Sequence, residues 1–323
     1  MNATAPTSAA CDPPPDSGFP CLEACGNPRA GRHSRGCSRR KFAALLLGAS
    51  AMTGQAQTAK TDAAGKALRF RIGAGFGNAS AADISAVLQS AGEALWRHCP
   101  KTRWEVPGFY VFHTQDAPVT LYEHHADGSI AIGLSAQGTY WSQFAFQFAH
   151  EFCHALAGHS NHWQDQKDWI RKPKANHWLE ESLCEVASLF ALRAMAETWK
   201  VRPPYQNWRD YAGALAGYAR DRLETTGKSL PEGFRFLEWM RENEPAMRRN
   251  ATMREKNNIV ARELLPLVER TPSVWEAVTF LQHGKREPDM SLEAKLRDWN
   301  ACVPRELSGA VRAIGGAFGL WLG

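Results

Sequence analysis

Residues 129–158 read SIAIGLSAQGTYWSQFAFQFAHEFCHALAG, and along this stretch the apolar spacing changes from that of a strand to that of a helix. Ser129 to Leu134 is a short apolar run that pairs with Val119 to His125 through an Asp127-Gly128 turn. From Tyr140 to Leu156 the residues Trp141, Phe144, Phe148, Phe152 and Leu156 recur at steps of three and four, the spacing of a buried helical stripe. Gly158 then supplies a stop. Upstream, Leu68 to Ile72 alternates as a strand does, and Phe109 to His113 forms a second strand. Between them Ser80, with Asp83 three residues on, caps a helix whose stripe is Ile84, Val87, Leu88, Ala91 and Leu95. Beyond Asn176 nearly everything reads as helix: to about residue 200, then 206–227, 231–249, 251–269, 272–283 and 291–300. The pattern predicts an α+β fold. A small mixed β-sheet subdomain, residues 57–157, precedes a mostly helical subdomain, residues 158–323.

The long helix carries His150-Glu151-Phe152-Cys153-His154. Residues at i and i+4 share a helix face, so both imidazoles can address one metal ion. Glu151 lies about 100° round the helix, within reach of a metal-bound water without being a ligand. A core helix rarely buries two histidines and a glutamate together unless something coordinates or neutralises them. A catalytic zinc needs a third protein ligand and an open position. In the metzincin pattern that ligand is a His six residues after the second His, following a Gly midway between them. Those places hold Ser160 and Ala157, so His159 and His162 read as loop histidines.

Asn176 to Glu185, NHWLEESLCE, offers a better candidate. Its Trp-Leu-Glu-Glu-Ser resembles the Trp-Leu-x-Glu-Gly segment of gluzincin metallopeptidases, the group that includes thermolysin-like enzymes and the M1 aminopeptidases. The resemblance implies that Glu181 is the third zinc ligand and that Glu185, four residues on, orients His150. The spacing suits this, because Glu181 and Glu185 share a helix face while Glu180 is turned about 100° away. A carboxylate accepting the second N–H of His150 would fix its tautomer and raise its basicity. Ser182 stands where Gly is usual, and 26 residues separate His154 from Glu181, more than in compact members of the group. The extra length is a charged, Trp-containing loop from Gly158 to Ala175.

The resemblance implies a zinc metallopeptidase in which zinc lies between the two subdomains, held by His150, His154 and Glu181. Glu151 acts as general base toward water attacking a peptide carbonyl. It also implies that an exposed strand just before the helix, Ile130 to Leu134, holds the peptide by strand addition. A Tyr or His donor from the helical half is expected, with Tyr205, Tyr211, Tyr218 and His283 as candidates. Two other readings stay open. One is a non-catalytic exported zinc or cell-envelope binding protein, whose structural zinc needs a fourth ligand such as Cys153, His159 or Glu185. The other is a zinc amidase acting on cell-wall material.

Ser38-Arg39-Arg40-Lys41-Phe42, followed by AALLLGASA, resembles a bacterial twin-arginine signal, with Ala43 and Ala44 where Leu and Lys often stand. An ordinary secretory signal is the alternative, and either predicts a periplasmic or extracellular protein. The apolar run is too short for a stable membrane anchor. Cleavage fits after Ala51 or Ala56, so residues 1–56 read as a disordered segment and a removable export signal. The net charge is +5. The first 56 residues hold six Lys and Arg against three Asp and Glu, leaving +2 for the rest, too little for a nucleic-acid partner. A peptide or protein substrate is the partner expected.

Cys99, Cys153, Cys184 and Cys302 remain after cleavage. A Cys153–Cys184 bridge would tie the two metal-bearing helices, whereas export of a chain already folded in a reducing cytoplasm favours free buried thiols. Gly73 to Asn78 lacks the last glycine and the downstream acid of a dinucleotide loop and reads as a glycine turn. His124 and His125 face opposite sides of a strand and make poor joint ligands.

Overall fold

Four strands, β1 (Phe70–Ile72), β2 (Phe109–His113), β3 (Val119–His124) and β4 (Ile130–Leu134), form a mixed sheet in the spatial order β1-β2-β4-β3. The computed structural model describes residues 67–158, 176–224 and 229–323, apart from 103, 107, 286 and 288. The signal and disordered front read for residues 1–56, and the loop carrying His159 and His162, lie outside the described residues.

β1 runs parallel to β2 and β2 parallel to β4, while β3 returns antiparallel to β4. The Asp127-Gly128 turn closes that hairpin: Gly128 has φ +81°, and Asp127 Oδ1 accepts from the Ser129 N–H at 3.0 Å. The register slips between Thr120 and His124, a bulge of the kind common on edge strands. All five positions of β4 are buried, since it has a strand on each side and a helix packed against it. The strand expected to lie exposed beside the cleft is therefore interior, and the free edge next to it belongs to β3.

Two helices cover the sheet, α1 (Ala81–Trp96) and α2 (Trp141–Gly158). The Ser80 hydroxyl accepts from the Asp83 N–H at 3.0 Å, capping α1, and the whole expected stripe from Ile84 to Leu95 is buried. On α2, Trp141, Phe144, Phe148, Phe152 and Leu156 are buried. Phe148 and Phe152 stack on each other and set their rings edge-on to Phe109 of β2.

The helical half begins with α3 (His177–Val201), which packs along α2. It continues through α4 (Ala212–Glu224), α5 (Phe236–Arg249), α6 (Arg254–Arg270), α7 (Val274–Val278), α8 (Leu292–Cys302) and α9 (Ser308–Ala317). The chain is thus α+β, a small mixed sheet followed by helices. One continuous hydrophobic core runs through both parts, and the described residues all belong to one compact unit.

Several boundaries differ from the sequence reading for local reasons. The 206–227 segment opens as a 3-10 turn, Gln206–Tyr211, before α4. α5 starts at Phe236 because Pro231 to Phe234 turns back on itself, with Gly233 at φ +81°. The 272–283 segment keeps only one α-helical stretch and ends in i+3 turns at Leu281 and His283. α9, absent from the sequence reading, buries Ala310, Val311 and Ile314.

Candidate metal centre

α2 is fixed on both flanks before any chemistry is considered. Burying Phe144, Phe148 and Phe152 against the sheet stabilises each by about 1.5–3 kcal/mol. Gln147 Oε1 accepts from the Ser135 and Ala136 N–H groups at 3.0 Å each, tying α2 to the end of β4. From the other side, Ser188 Oγ of α3 donates to the Phe146 carbonyl at 2.8 Å. The face of α2 left toward α3 carries His150 and His154, so the facing turn of α3 decides what they meet.

That turn presents Glu181. Its Oε2 stands 3.6 Å from Nε2 of His150 and 3.7 Å from Nε2 of His154. Glu185 Oε1 lies 3.7 Å from Nδ1 of His150, close enough for ion pairing and too far for a hydrogen bond, and 3.7 Å from Nε of Arg254 on α6. Glu151 is 4% exposed, and its Oε2 lies 2.9 Å from the Thr120 hydroxyl of β3, which also reaches the Glu151 backbone carbonyl at 2.9 Å. The structure therefore draws His150, His154, Glu181 and Glu185 into one neighbourhood between α2 and α3, while the Glu151 carboxylate is tied to Thr120 of β3.

Two residues to which the sequence reading gave no role also belong there. Glu180 is 2% exposed, and its Oε1 accepts from the Nδ1–H of His154 at 2.9 Å. Its Oε2 accepts from Nε2 of Gln282 at 2.5 Å. His177, the first residue of α3, places Nε2 3.6 Å from Glu181 Oε1 and 3.9 Å from Glu180 Oε1. The helical-spacing argument used for His150 and His154, extended to i,i+3, would have flagged His177, Glu180 and Glu181 as one helical face.

The electrostatics of the cluster call for positive charge. Glu151, Glu180 and Glu185 are almost wholly buried and Glu181 largely so, and each buried ion costs several kcal/mol unless compensated. Among the described residues one permanent cation, Arg254, comes within ion-pair distance of these acids. Burial alone would depress the His154 pKa, yet the charge of Glu181 and the hydrogen bond to Glu180 together lift it well above its ordinary value. Burial would likewise raise Glu181, but His154 and then His150 hold it far below the usual carboxylate range. His154 is thus driven to carry positive charge of the kind a metal ion would supply.

Among the described residues, two groups of side chains have the spacing to hold a metal ion, with ligand atoms all within 4.8 Å of one another: His150, His154 and Cys184, and His154, His177 and Glu180. Cys153 and Cys184 are fully buried free thiols, so no bridge joins the two helices. Burial, then the Cys153 thiol, and then the charges of Glu180 and Glu181 push the Cys184 pKa well up, favouring the protonated form.

The four candidate donors separate in space. Tyr218 of α4 lies against Phe146 of α2. Burial raises its pKa, Arg222 and Arg254 oppose that, and Glu185 adds to it, so Tyr218 shares the electrostatic surroundings of the cluster. Tyr211 Oη instead accepts from the Ser142 N–H at the start of α2, Tyr205 sits edge-on to Trp208, and the His283 ring faces Phe280. Compared with protein-family models, curated proteins and solved structures, the chain finds no match in any of the three.

Proposed function

We propose that the protein is an exported zinc-dependent metallopeptidase of gluzincin type, with zinc held by His150, His154 and Glu181. The observation that carries this reading is the placement of Glu181 Oε2 at 3.6 and 3.7 Å from the two Nε2 atoms. Two atoms bonded at about 2.0–2.1 Å to one tetrahedral zinc lie about 3.3 Å apart, a few tenths of an ångström less than the distance from Glu181 Oε2 to each imidazole nitrogen. The buried carboxylates supply the charge complement, and the donor set of two imidazoles and a carboxylate suits zinc. Bound zinc would supply Lewis acidity, making a water acidic near neutral pH and drawing charge from a carbonyl oxygen.

The remaining work falls to the chain's own side chains. Thr120 Oγ1 donates to Oε2 of Glu151, which leaves Oε1 to take the proton from the attacking water. As the C–N bond of the substrate breaks, that proton passes to the leaving nitrogen, giving a carboxylate end and a free amine. Glu180 orients His154 by accepting from its Nδ1–H. β3 brings an edge that no described strand covers alongside Glu151, and a peptide substrate could extend the sheet there. The apolar run after Ser38-Arg39-Arg40-Lys41-Phe42 supports export to the periplasm or beyond, and no described helix is long and apolar enough to cross a membrane.

The test is zinc content and peptide hydrolysis for the wild-type chain and Glu151→Gln. About one zinc per chain in this centre in both proteins, with hydrolysis confined to the wild type, is the expected result. A wild type without zinc, or a fully active Glu151→Gln, would overturn the reading. One observation favours a second reading: Cys184 comes within metal-ligand range of His150 and His154. If it ligates, the site is closed and the protein is a non-catalytic zinc binder.

A further inference from the structure

The first turn of α3 repeats the logic of the histidine pair on α2. His177, Glu180 and Glu181 stand at i, i+3 and i+4 and so face one way. A histidine and a glutamate three residues apart on a helix are a pairing that dinuclear metal proteins of unrelated fold build into their centres. Glu181 has one oxygen directed at each set of histidines. Oε2 stands near Nε2 of His150 and His154, while Oε1 stands 3.6 Å from Nε2 of His177. Glu180 Oε1 lies 3.9 Å from the same His177 nitrogen. It also accepts from His154 Nδ1–H at 2.9 Å. His154, His177 and Glu180 place ligand atoms within 4.8 Å of one another, and His177 is about a quarter exposed, so an ion has a way in.

We propose that His177, Glu180 and the outer oxygen of Glu181 hold a second divalent cation, with the Glu181 carboxylate bridging it to the zinc assigned to His150 and His154. The second position rests on that first assignment, because both use Glu181. A bridging carboxylate sets two cations about 3.5–4 Å apart, the separation of two-metal hydrolytic centres. The second cation binds more weakly for two reasons visible in the fold. His177 is less buried than His154, and it sits at the N-terminus of α3, where the helix dipole opposes positive charge. A hydrolase that binds its second cation weakly responds to metal concentration in two stages.

The experiment titrates cobalt(II) into the metal-stripped full chain, comparing wild type with His177→Ala, His177→Gln and His150→Ala. Cobalt bound by imidazole and carboxylate is read in its visible bands. Thiolate charge transfer in the near ultraviolet separates out any cobalt on cysteines, including those of the first 56 residues. The wild type is expected to take up two equivalents of non-thiolate cobalt, the second weaker and altering the paramagnetic resonance signal of the first. Both His177 variants should lose the weaker equivalent and retain the tighter one, with unchanged circular dichroism. Equal uptake by the wild type and both His177 variants would sink the second site while leaving the zinc reading intact. A wild type with no non-thiolate cobalt, or tight binding undiminished in His150→Ala, would sink the first assignment and the second with it.

Discussion

Glu180 Oε1 accepts a hydrogen bond from Nδ1–H of His154 across 2.9 Å, and this contact sets which nitrogen of that imidazole is available to a metal ion. With Nδ1 protonated, Nε2 carries the free lone pair, and Nε2 is the atom that faces Glu181. Replacing Glu180 with Ala frees the ring to rotate and to change tautomer. The expected outcome for Glu180→Ala is a fall in zinc affinity of about 10–100-fold, measured by competition with a chromogenic chelator. Glu180→Gln, which can still accept through its carbonyl oxygen, should retain more of the affinity. Equal affinities in all three proteins would show that His154 needs no such anchor.

Thr120 offers a separate handle on the proposed base. A hydrogen bond to a charged group contributes about 1.5–3 kcal/mol, which corresponds to roughly 10–100-fold in rate if it matters only in the transition state. Thr120→Val keeps the side chain's volume and removes its hydroxyl. Its kcat for a peptide substrate is expected to fall about 10-fold or more while zinc content stays at the wild-type level. Loss of zinc in this variant would instead mean that Thr120 supports the fold of the centre.

The parts of this fold legible in the sequence are those set by local spacing. Ser80 caps α1, Asp127 and Gly128 form their turn, and the aromatic stripe of α2 is buried, because each depends on neighbours within a few residues. The role of Glu180 was not legible. It arises where Gln282, 102 residues on, and His154, 26 residues back, meet. Nor could a solvated face be recognised for α3, since it is enclosed nearly all round between Trp178 and Leu192 and shows no strong amphipathic pattern. The interior position of β4 is likewise a matter of strand order, set by its pairing with β2 on one side and β3 on the other.

The charges of His154 and Glu181 predict a proton balance. His154 titrates above its ordinary 6.5, so below about pH 6.5 its protonation contributes fully to the stability of the metal-free protein. That contribution is lost as pH rises through the folded-state value. Glu181 titrates below its ordinary 4.5, so its contribution is present above about pH 4.5 and lost as pH falls through its folded-state value. The metal-free chain should therefore melt highest between about pH 4.5 and 6.5, and zinc should carry the optimum upward. Because a ligating imidazole must be neutral, zinc binding at pH 7 should release about one proton from His154. Calorimetry in buffers of different ionisation enthalpy reads that number directly, and a value near zero would show that His154 is neutral before zinc arrives.

Cys184 decides between an open and a closed centre. Its thiol is fully buried, hydrogen-bonded toward Cys153 and biased to the protonated form by burial and by the acids around it. A thiol in that state fills space between α2 and α3 without ligating, and the open position needed by a hydrolytic zinc survives. Cys184→Ala should then keep its zinc and its peptide hydrolysis, losing about 1 kcal/mol of stability from the small cavity it creates. A reductant should change neither protein, since no disulfide links the helices. If Cys184 is a ligand, the same substitution removes one of four bonds to a structural zinc, and affinity falls by orders of magnitude along with the melting temperature. The two outcomes differ in both zinc retention and thermal stability, so a modest packing defect cannot be mistaken for a lost ligand.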